Sequence, residues 1–376
     1  MRVCLDVQSA VGQGAGVGRY TRELARHLPG AAREGERVAA FYFDFHRRGL
    51  SFGGEGLEAR RCGWCPGRVA QQLWKRAGWP GFDWFAGAAD VYHFPNFVRS
   101  PLRKGAKSVV TIHDVSFLRM PETTEEKNLA WLTGQIGKTA RAADAIVTDS
   151  EFSAREIVEC LGVAREKVFP IWLGLAELGA PPDAAGCAEE RKKLGLERPY
   201  LLHVGTLEPR KNLEMLVEAF GRMRGFDGDL VLAGGLGWKT EGLLRAIEGS
   251  PARDRIRRVS RVGDRALAAL YEGAEAFVFP SRYEGFGFPP LEAASRGTPV
   301  LCARNSSLPE VMGDAAEWVP DGAGAEEWAG RIESFLRDGA RRAALRSAGP
   351  KRAGMFRWEE TARRTWEVYR KVAGKP

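Results

Sequence analysis

A chain of 376 residues is too long for one ordinary hydrophobic core, so two domains are expected. Its 44% hydrophobic, 10% aromatic and 28% charged residues exclude a disordered or fibrous chain, and no apolar run reaches the ~20 residues of a membrane span. The net charge of +8 is shared evenly by the two halves, whereas a nucleic-acid binder usually gathers its charge on one domain or tail.

Residues 1–7 read as a strand, because Asp6 interrupts an apolar run too short for a signal peptide; the expected address is the cytoplasm. A glycine loop follows, and then residues 19–28, where Tyr20, Leu24 and Leu28 recur at helical spacing. Strands are expected at 38–43, 91–94, 108–112 and 145–148, each ending at a polar or turn residue. The six cysteines are scattered. Cys62-Gly63-Trp64-Cys65 lacks a second CxxC or an HxxxH partner, so neither zinc nor redox chemistry is expected of it. The second half restarts the pattern with strands at 200–204, 229–233, 276–280 and 299–302 and a helix at 213–223. Between the halves, residues 178–186 are rich in Pro and Gly and read as a linker. Residues 358–372 read as an amphipathic terminal helix, with Trp358, Trp366 and Tyr369 on its apolar face. Strands alternating with helices imply parallel sheets with functional loops at the strands' C-terminal ends. The expected class is therefore α/β, with two Rossmann-like, doubly wound domains facing a cleft. The expected divisions are 1–182, 183–355 and a helix at 356–376 that returns to the first domain.

Four segments carry chemistry. Gly12-Gln13-Gly14-Ala15-Gly16-Val17-Gly18 joins a strand to a helix, and its backbone can approach a phosphate or an acceptor closely. Its alternating glycines do not meet the G-x-G-x-x-G spacing, which disfavours a dinucleotide oxidoreductase. His113 stands at a strand end, where an imidazole can meet a sugar hydroxyl or share a proton; His93 is similarly placed. Arg210 and Lys211 stand together at an expected helix start, against the macrodipole preference, and suggest an external anion such as a diphosphate. Finally, Glu284-Gly285-Phe286-Gly287-Phe288-Pro289-Pro290-Leu291-Glu292 sets two carboxylates around glycine backbone donors, which suits a polyhydroxylated ligand. Glu292 is expected in the first turn of a helix. Ser153 and Glu156 read as a capping box, a structural device.

Two glutamates with seven residues between them, around Gly-Phe-Gly-Phe, resemble the E-x7-E motif of the retaining family 4 glycosyltransferases, which have the GT-B fold. His203-Val204-Gly205-Thr206-Leu207-Glu208-Pro209-Arg210-Lys211-Asn212, Val278-Phe279-Pro280-Ser281 and Ser307-Leu308-Pro309-Glu310-Val311 extend the resemblance along nearly the whole chain. Gly234-Gly235-Leu236-Gly237-Trp238-Lys239 and Tyr92-His93-Phe94-Pro95-Asn96 are most similar to bacterial mannosyltransferases of surface polysaccharide, including lipopolysaccharide, assembly.

The resemblance implies that Lys211 meets the donor diphosphate and that Glu292 meets the nucleotide ribose. It sets Glu284, with the backbone of Phe286, Gly287 and Phe288, around the donor sugar and phosphate. His113 would lie near the transferred sugar, with Gly16, Gly18 and His93 on the acceptor side. Thr206 stands where the family often has an arginine, and Arg210 would replace it. Ser260 stands where a glycine is usual, before Arg261 and Val262, the stretch expected to meet the base. The implied reaction is metal-independent, needs no cofactor and retains configuration. It moves a hexose, by this reading mannose from GDP-mannose, to a glycan or lipid-linked glycan. The expected partners are then a nucleotide-sugar, the acceptor and the inner-membrane surface, where cations interleave with tryptophans over residues 60–107; no nucleic acid is expected. Rival readings are a UDP-sugar-dependent enzyme or epimerase of the same fold, and a basic membrane or nucleic-acid interaction protein with a degenerate sugar site.

Overall fold

The computed structural model describes every residue except 13–15, 47–51, 176–178, 180–182, 261 and 375–376. Arg261 and most of the expected linker lie outside the described residues. The chain divides into two compact units. The first comprises Met1–Val115, Ala130–Gly174 and Arg357–Pro376, and the second Ser116–Leu129 and Leu175–Phe356. The crossing thus falls at Gly174 rather than at residue 182, and a short excursion of the first half, Ser116–Leu129, is built into the second unit. There Trp238 Nε1 donates to Thr123 O at 2.7 Å and Lys239 Nζ to Glu122 O at 2.8 Å.

The first unit holds seven parallel strands: β1 (Arg2–Asp6), β2 (Arg37–Phe43), β3 (Leu57–Cys62), β4 (Val91–Phe94), β5 (Lys107–Thr111), β6 (Ala145–Thr148) and β7 (Val168–Pro170), in the order β3-β2-β1-β4-β5-β6-β7. β4 and β6 are buried at every position, as strands covered by helices on both faces should be. β3 was not expected: its Glu58, Arg60 and Arg61 conceal an edge strand, where charge discourages further pairing.

The second unit holds six parallel strands: β8 (Tyr200–Val204), β9 (Asp229–Ala233), β10 (Ile256–Val259), β11 (Ala276–Phe279), β12 (Val300–Ala303) and β13 (Glu317–Val319), in the order β10-β9-β8-β11-β12-β13. Each sheet reverses its winding once, between β1 and β4 and between β8 and β11. In open parallel sheets, ligands bind at such reversals, outside the strands' C-terminal ends.

Of the helices, α1 (Val17–His27) follows the glycine loop, α2 (Gly67–Ala77) follows β3, α3 (Glu151–Leu161) follows β6, α4 (Leu213–Arg222) and α5 (Phe288–Ser295) belong to the second unit, and α6 (Trp358–Val372) ends the chain. A short helix at Gln8–Gly12 already begins after β1, so the glycine loop is shorter than the sequence suggested. The cap of α3 is Ser150, whose side chain accepts from Ser153 N at 3.1 Å; Ser153 is therefore the capped residue and not the cap.

α6 packs into the first unit. Trp366 Nε1 donates to Leu28 O at 2.8 Å, and Thr361 Oγ1 donates to Trp172 O at 2.7 Å. Arg370 holds the Glu36 carboxylate through both of its oxygens, at 3.0 and 2.8 Å, and both side chains are buried. A two-pronged pair of this kind fixes orientation as well as position.

Candidate active site

In the second unit, β8 and β11 are hydrogen-bonded neighbours, so the loops that leave their C-terminal ends meet. The first loop turns through a single 3₁₀ turn, Pro209–Lys211, and Asn212 then adopts left-handed φ at 57° before α4 begins. Arg282 N donates to Arg210 O at 2.9 Å and joins the two loops. The close approach of Arg210 and Lys211 to Glu284 follows from this geometry.

Lys211 Nζ lies 2.5 Å from Glu284 Oε1, and Ser281 Oγ donates to that same oxygen at 2.6 Å. Arg210 Nη1 stands 3.1 Å from Glu284 Oε2 and donates to Tyr283 O, while Nη2 lies 2.6 Å from Glu208 Oε1. The anion that compensates the two cations is thus in part internal, which the sequence reading assigned wholly to a ligand. Burial alone would raise the Glu284 carboxyl, but Arg210 and Lys211 overcome it and bring it down to about 2. Lys211 moves below its usual value because burial and the neighbouring Arg210 outweigh Glu284. The two directions are consistent: Glu284 faces two cations, whereas Lys211 faces a carboxylate and a like charge.

The backbone after Glu284 is equally constrained. Ser306 Oγ accepts from Glu284 N at 2.9 Å, and Ser307 Oγ donates to the carbonyls of Glu284 and Phe286, both at 2.9 Å. Gly287 has φ 105°, and a Cβ there would come within 2.8 Å of the Leu308 side chain, so only glycine fits where α5 starts. Phe286 is buried against Phe356, while Phe288 is half-buried. Glu292 is buried and accepts from Tyr271 OH at 2.9 Å. It lies in the second turn of α5, one turn later than expected, because the helix already begins at Phe288.

His203, on β8, donates through Nδ1 to Val278 O (3.1 Å), and its Nε2 is buried with no hydrogen-bond partner. Burial holds this ring neutral, down to about 4. Thr206 is exposed beside Gly237, and Val262 is half-buried after β10. A groove of about 190 Å³ borders the Pro209–Lys211 turn, lined among others by Glu208, Asn212, Lys239 and Arg282. None of Lys211, Glu284 and Glu292 lines it, so the groove adjoins the charge cluster and does not contain it.

In the first unit, His113 follows β5 and is buried. Its Nδ1 lies 2.9 Å from Asp149 Oδ2 and its Nε2 3.2 Å from Pro95 O. Burial would lower the imidazole, but Asp149 raises it above its usual value; burial likewise raises Asp149, against the pull of His113. Tyr20 meets the His113 ring edge-on at 4.8 Å. His93 is fully buried, with Nδ1 2.6 Å from Tyr369 OH and Nε2 2.8 Å from Thr111 Oγ1, and burial lowers it to about 3. One nitrogen holds Tyr369 of α6 and the other Thr111 of β5, so a role for His93 beside an acceptor has no exposed atom to act through. Gly16 begins α1 with φ 57° and is exposed; Gly18 is buried inside that helix. Cys62 and Cys65 are buried free thiols, and among the described residues no group of three or more His, Cys, Asp and Glu could hold a metal ion.

Tyr271 and Asp149 are not singled out by the sequence, and Glu208 and Ser281 stand there only within longer motifs with no role of their own. Asp149 follows β6 directly and Ser281 lies two residues past β11, a position that could have flagged both.

Residues 188–352 match the family model described as glycosyl transferases group 1, and residues 15–174 match a glycosyl transferase 4-like domain. The O-antigen chain mannosyltransferase B of Escherichia coli is 33% identical over 287 residues, 74% of each chain. Sucrose-phosphate synthase from Thermosynechococcus elongatus superposes with a TM-score of 0.76 at 20% identity, covering 100% of this chain and 99% of that one. Anabaena Alr3699/HepE, solved in complex with UDP-glucose, superposes with a TM-score of 0.70 at 17% identity, covering 98% and 100%. At such identities the two structural likenesses speak for the fold.

Proposed function

The chain belongs to the group 1 glycosyltransferases, with the GT-B fold, and from that premise we propose that it transfers mannose from GDP-mannose to a glycan or lipid-linked glycan of a surface polysaccharide. The observation that carries a nucleotide-sugar donor is the meeting of Arg210, Lys211 and Glu284 at the reversal of the second sheet. Mannose is supported by the 33% identity to an O-antigen mannosyltransferase; guanine is what the family resemblance implies for a mannose donor.

In this reading the second unit is the donor domain and the first the acceptor domain. The diphosphate takes Arg210 and Lys211 as counter-charges. Glu292 accepts from the ribose hydroxyls. Glu284 and the backbone of residues 286–288 surround the sugar and its phosphate, Thr206 and Val262 flank the donor, and His113 stands near the transferred sugar. As the bond from C1 to the phosphate oxygen breaks, the acceptor hydroxyl forms a bond to C1 on the same face, so configuration is retained. Its proton passes to the leaving phosphate. Fixed cations that meet charge growing on that phosphate favour the transition state over the ground state. Two protein cations make a metal unnecessary, so a chelator such as EDTA should leave the rate unchanged. The enzyme acts in the cytoplasm, where nucleotide-sugars are made.

A panel of nucleotide-sugars, with mass detection of the released nucleoside diphosphate, tests the proposal; GDP from GDP-mannose is the expected product. The second reading, a UDP-sugar donor, draws on the UDP-glucose complex of a protein with the same fold. Turnover of UDP-sugars without GDP-mannose would establish it instead.

A further inference from the structure

The segment from β3 to β5 carries side chains that neither the fold nor the proposed chemistry uses. Helix α2 has 11 residues but only Ala70 is buried, whereas an amphipathic helix on a protein core normally buries a whole stripe. An isolated helix of that length is marginal in water, so its apolar side chains need a partner. Val69 and Leu73, one turn apart, are 48% and 41% exposed. Trp64, just before the helix, and Trp79, just after it, are 62% and 72% exposed, and Trp84 is 60% exposed.

These indoles are not loose. Trp64 and Trp84 meet edge-on at 5.2 Å, and both rest on Phe85. Phe85 packs in turn on Phe43 and Trp74, and Trp74 on the buried Phe82. The aromatic ladder from the core ends in rings held outward. The cluster read from the sequence therefore divides: Phe82 fills the core, Phe85 and Trp74 bridge, and Trp64, Trp79 and Trp84 face out.

The charge around them is predominantly positive. From residue 63 to 107 the only carboxylates are Asp83 and Asp90, against seven lysines and arginines. Asp83 accepts from Arg103 N and Asp90 from Arg2 N, so both are partly spent on backbone. Among the described residues no carboxylate lies within ion-pair distance of Arg68, Lys75, Arg76 or Lys104. A second copy of this face would meet like charge. A nucleic acid would want open ring faces, yet Trp64 is stacked on Phe85, and Val69 and Leu73 offer a polyanion nothing.

We propose that α2, with Trp64, Trp79 and Trp84, docks on the surface of an anionic lipid bilayer. The indoles lodge at headgroup depth, Val69 and Leu73 enter the acyl boundary, and Arg68, Lys75, Arg76 and Lys104 meet lipid phosphates. This docking is independent of which nucleotide the donor carries.

The full chain is sedimented with phosphatidylcholine vesicles with and without phosphatidylglycerol, at low and high salt. Binding is expected only to the anionic vesicles and to weaken in high salt. The combined Arg68→Glu, Lys75→Glu and Arg76→Glu variant should lose at least about ten-fold in partitioning. The Leu73→Ser, Trp79→Ser variant should lose what survives high salt. Thermal melts show that each variant is folded, and all the altered side chains are exposed. Absence of binding at low salt, equal binding by the folded variants, or binding to heparin or RNA in preference to anionic vesicles overturns the proposal.

Discussion

The candidate site residues of the two units bury their charges in opposite ways. In the second, one carboxylate, Glu284, faces two cations and is held far below its usual range. In the first, one imidazole, His113, faces the carboxylate of Asp149, and both are raised. The strand histidines extend the contrast. His93 has both nitrogens engaged beneath α6, whereas His203 keeps one buried nitrogen without a partner near the Lys211 loop. In the first unit the buried pairs of His93 with Tyr369 and of Arg370 with Glu36 act as anchors. The second unit's cations are tied to carboxylates that a diphosphate can replace as partner, at little cost in new desolvation.

The strongest blow to the anchoring half of this contrast is Arg370→Ala. It leaves the buried Glu36 carboxylate unpaired and should cost about 3–5 kcal/mol, read as a lower urea midpoint. An unchanged midpoint would mean that α6 is held by its apolar face alone.

Lys211→Ala should lower kcat about 10²–10³-fold with a modest change in donor KM, since the ammonium meets charge that develops on the leaving group. Glu292→Ala should instead mainly raise donor KM, because the ribose lies far from the reacting carbon. Identical kinetic effects would dissolve that division.

Glu284 gives a smaller, pH-dependent effect. Its folded value lies below its unfolded one, so its contribution is fully present above pH 4.5 and fades as pH falls from 4.5 toward about 2. A shift of that size is worth about 3 kcal/mol. Glu284→Gln should flatten the stability–pH slope in that window, whatever it does to the stability at neutral pH. A slope identical to wild type would show that the cluster is not charged as described.

Much of this was legible from the chain. The strands at 91–94, 145–148, 200–204 and 229–233 and the helix at 358–372 stand where apolar runs and helical spacing put them, because each is covered on both faces or along one stripe. β3 and β13 were not legible, the one an edge strand full of charge and the other only three residues long. Arg210, Lys211, Glu284 and Glu292 could be singled out by loop position and residue type. That Glu284 would neutralise both cations could not, since the pairing spans 73 residues and depends on two loops meeting at a sheet reversal. The pairing of His113 with Asp149 was hidden for the same reason, across 36 residues.

The Arg210–Lys211–Glu284 cluster is proposed to receive the diphosphate of a guanine nucleotide. Calorimetric titration of the wild type and of Lys211→Ala with GDP and with UDP tests this most directly. GDP is expected to bind the wild type, UDP to bind more weakly, and GDP affinity to fall when the lysine is removed. Tight binding of UDP with none of GDP, or GDP affinity indifferent to Lys211, would contradict it.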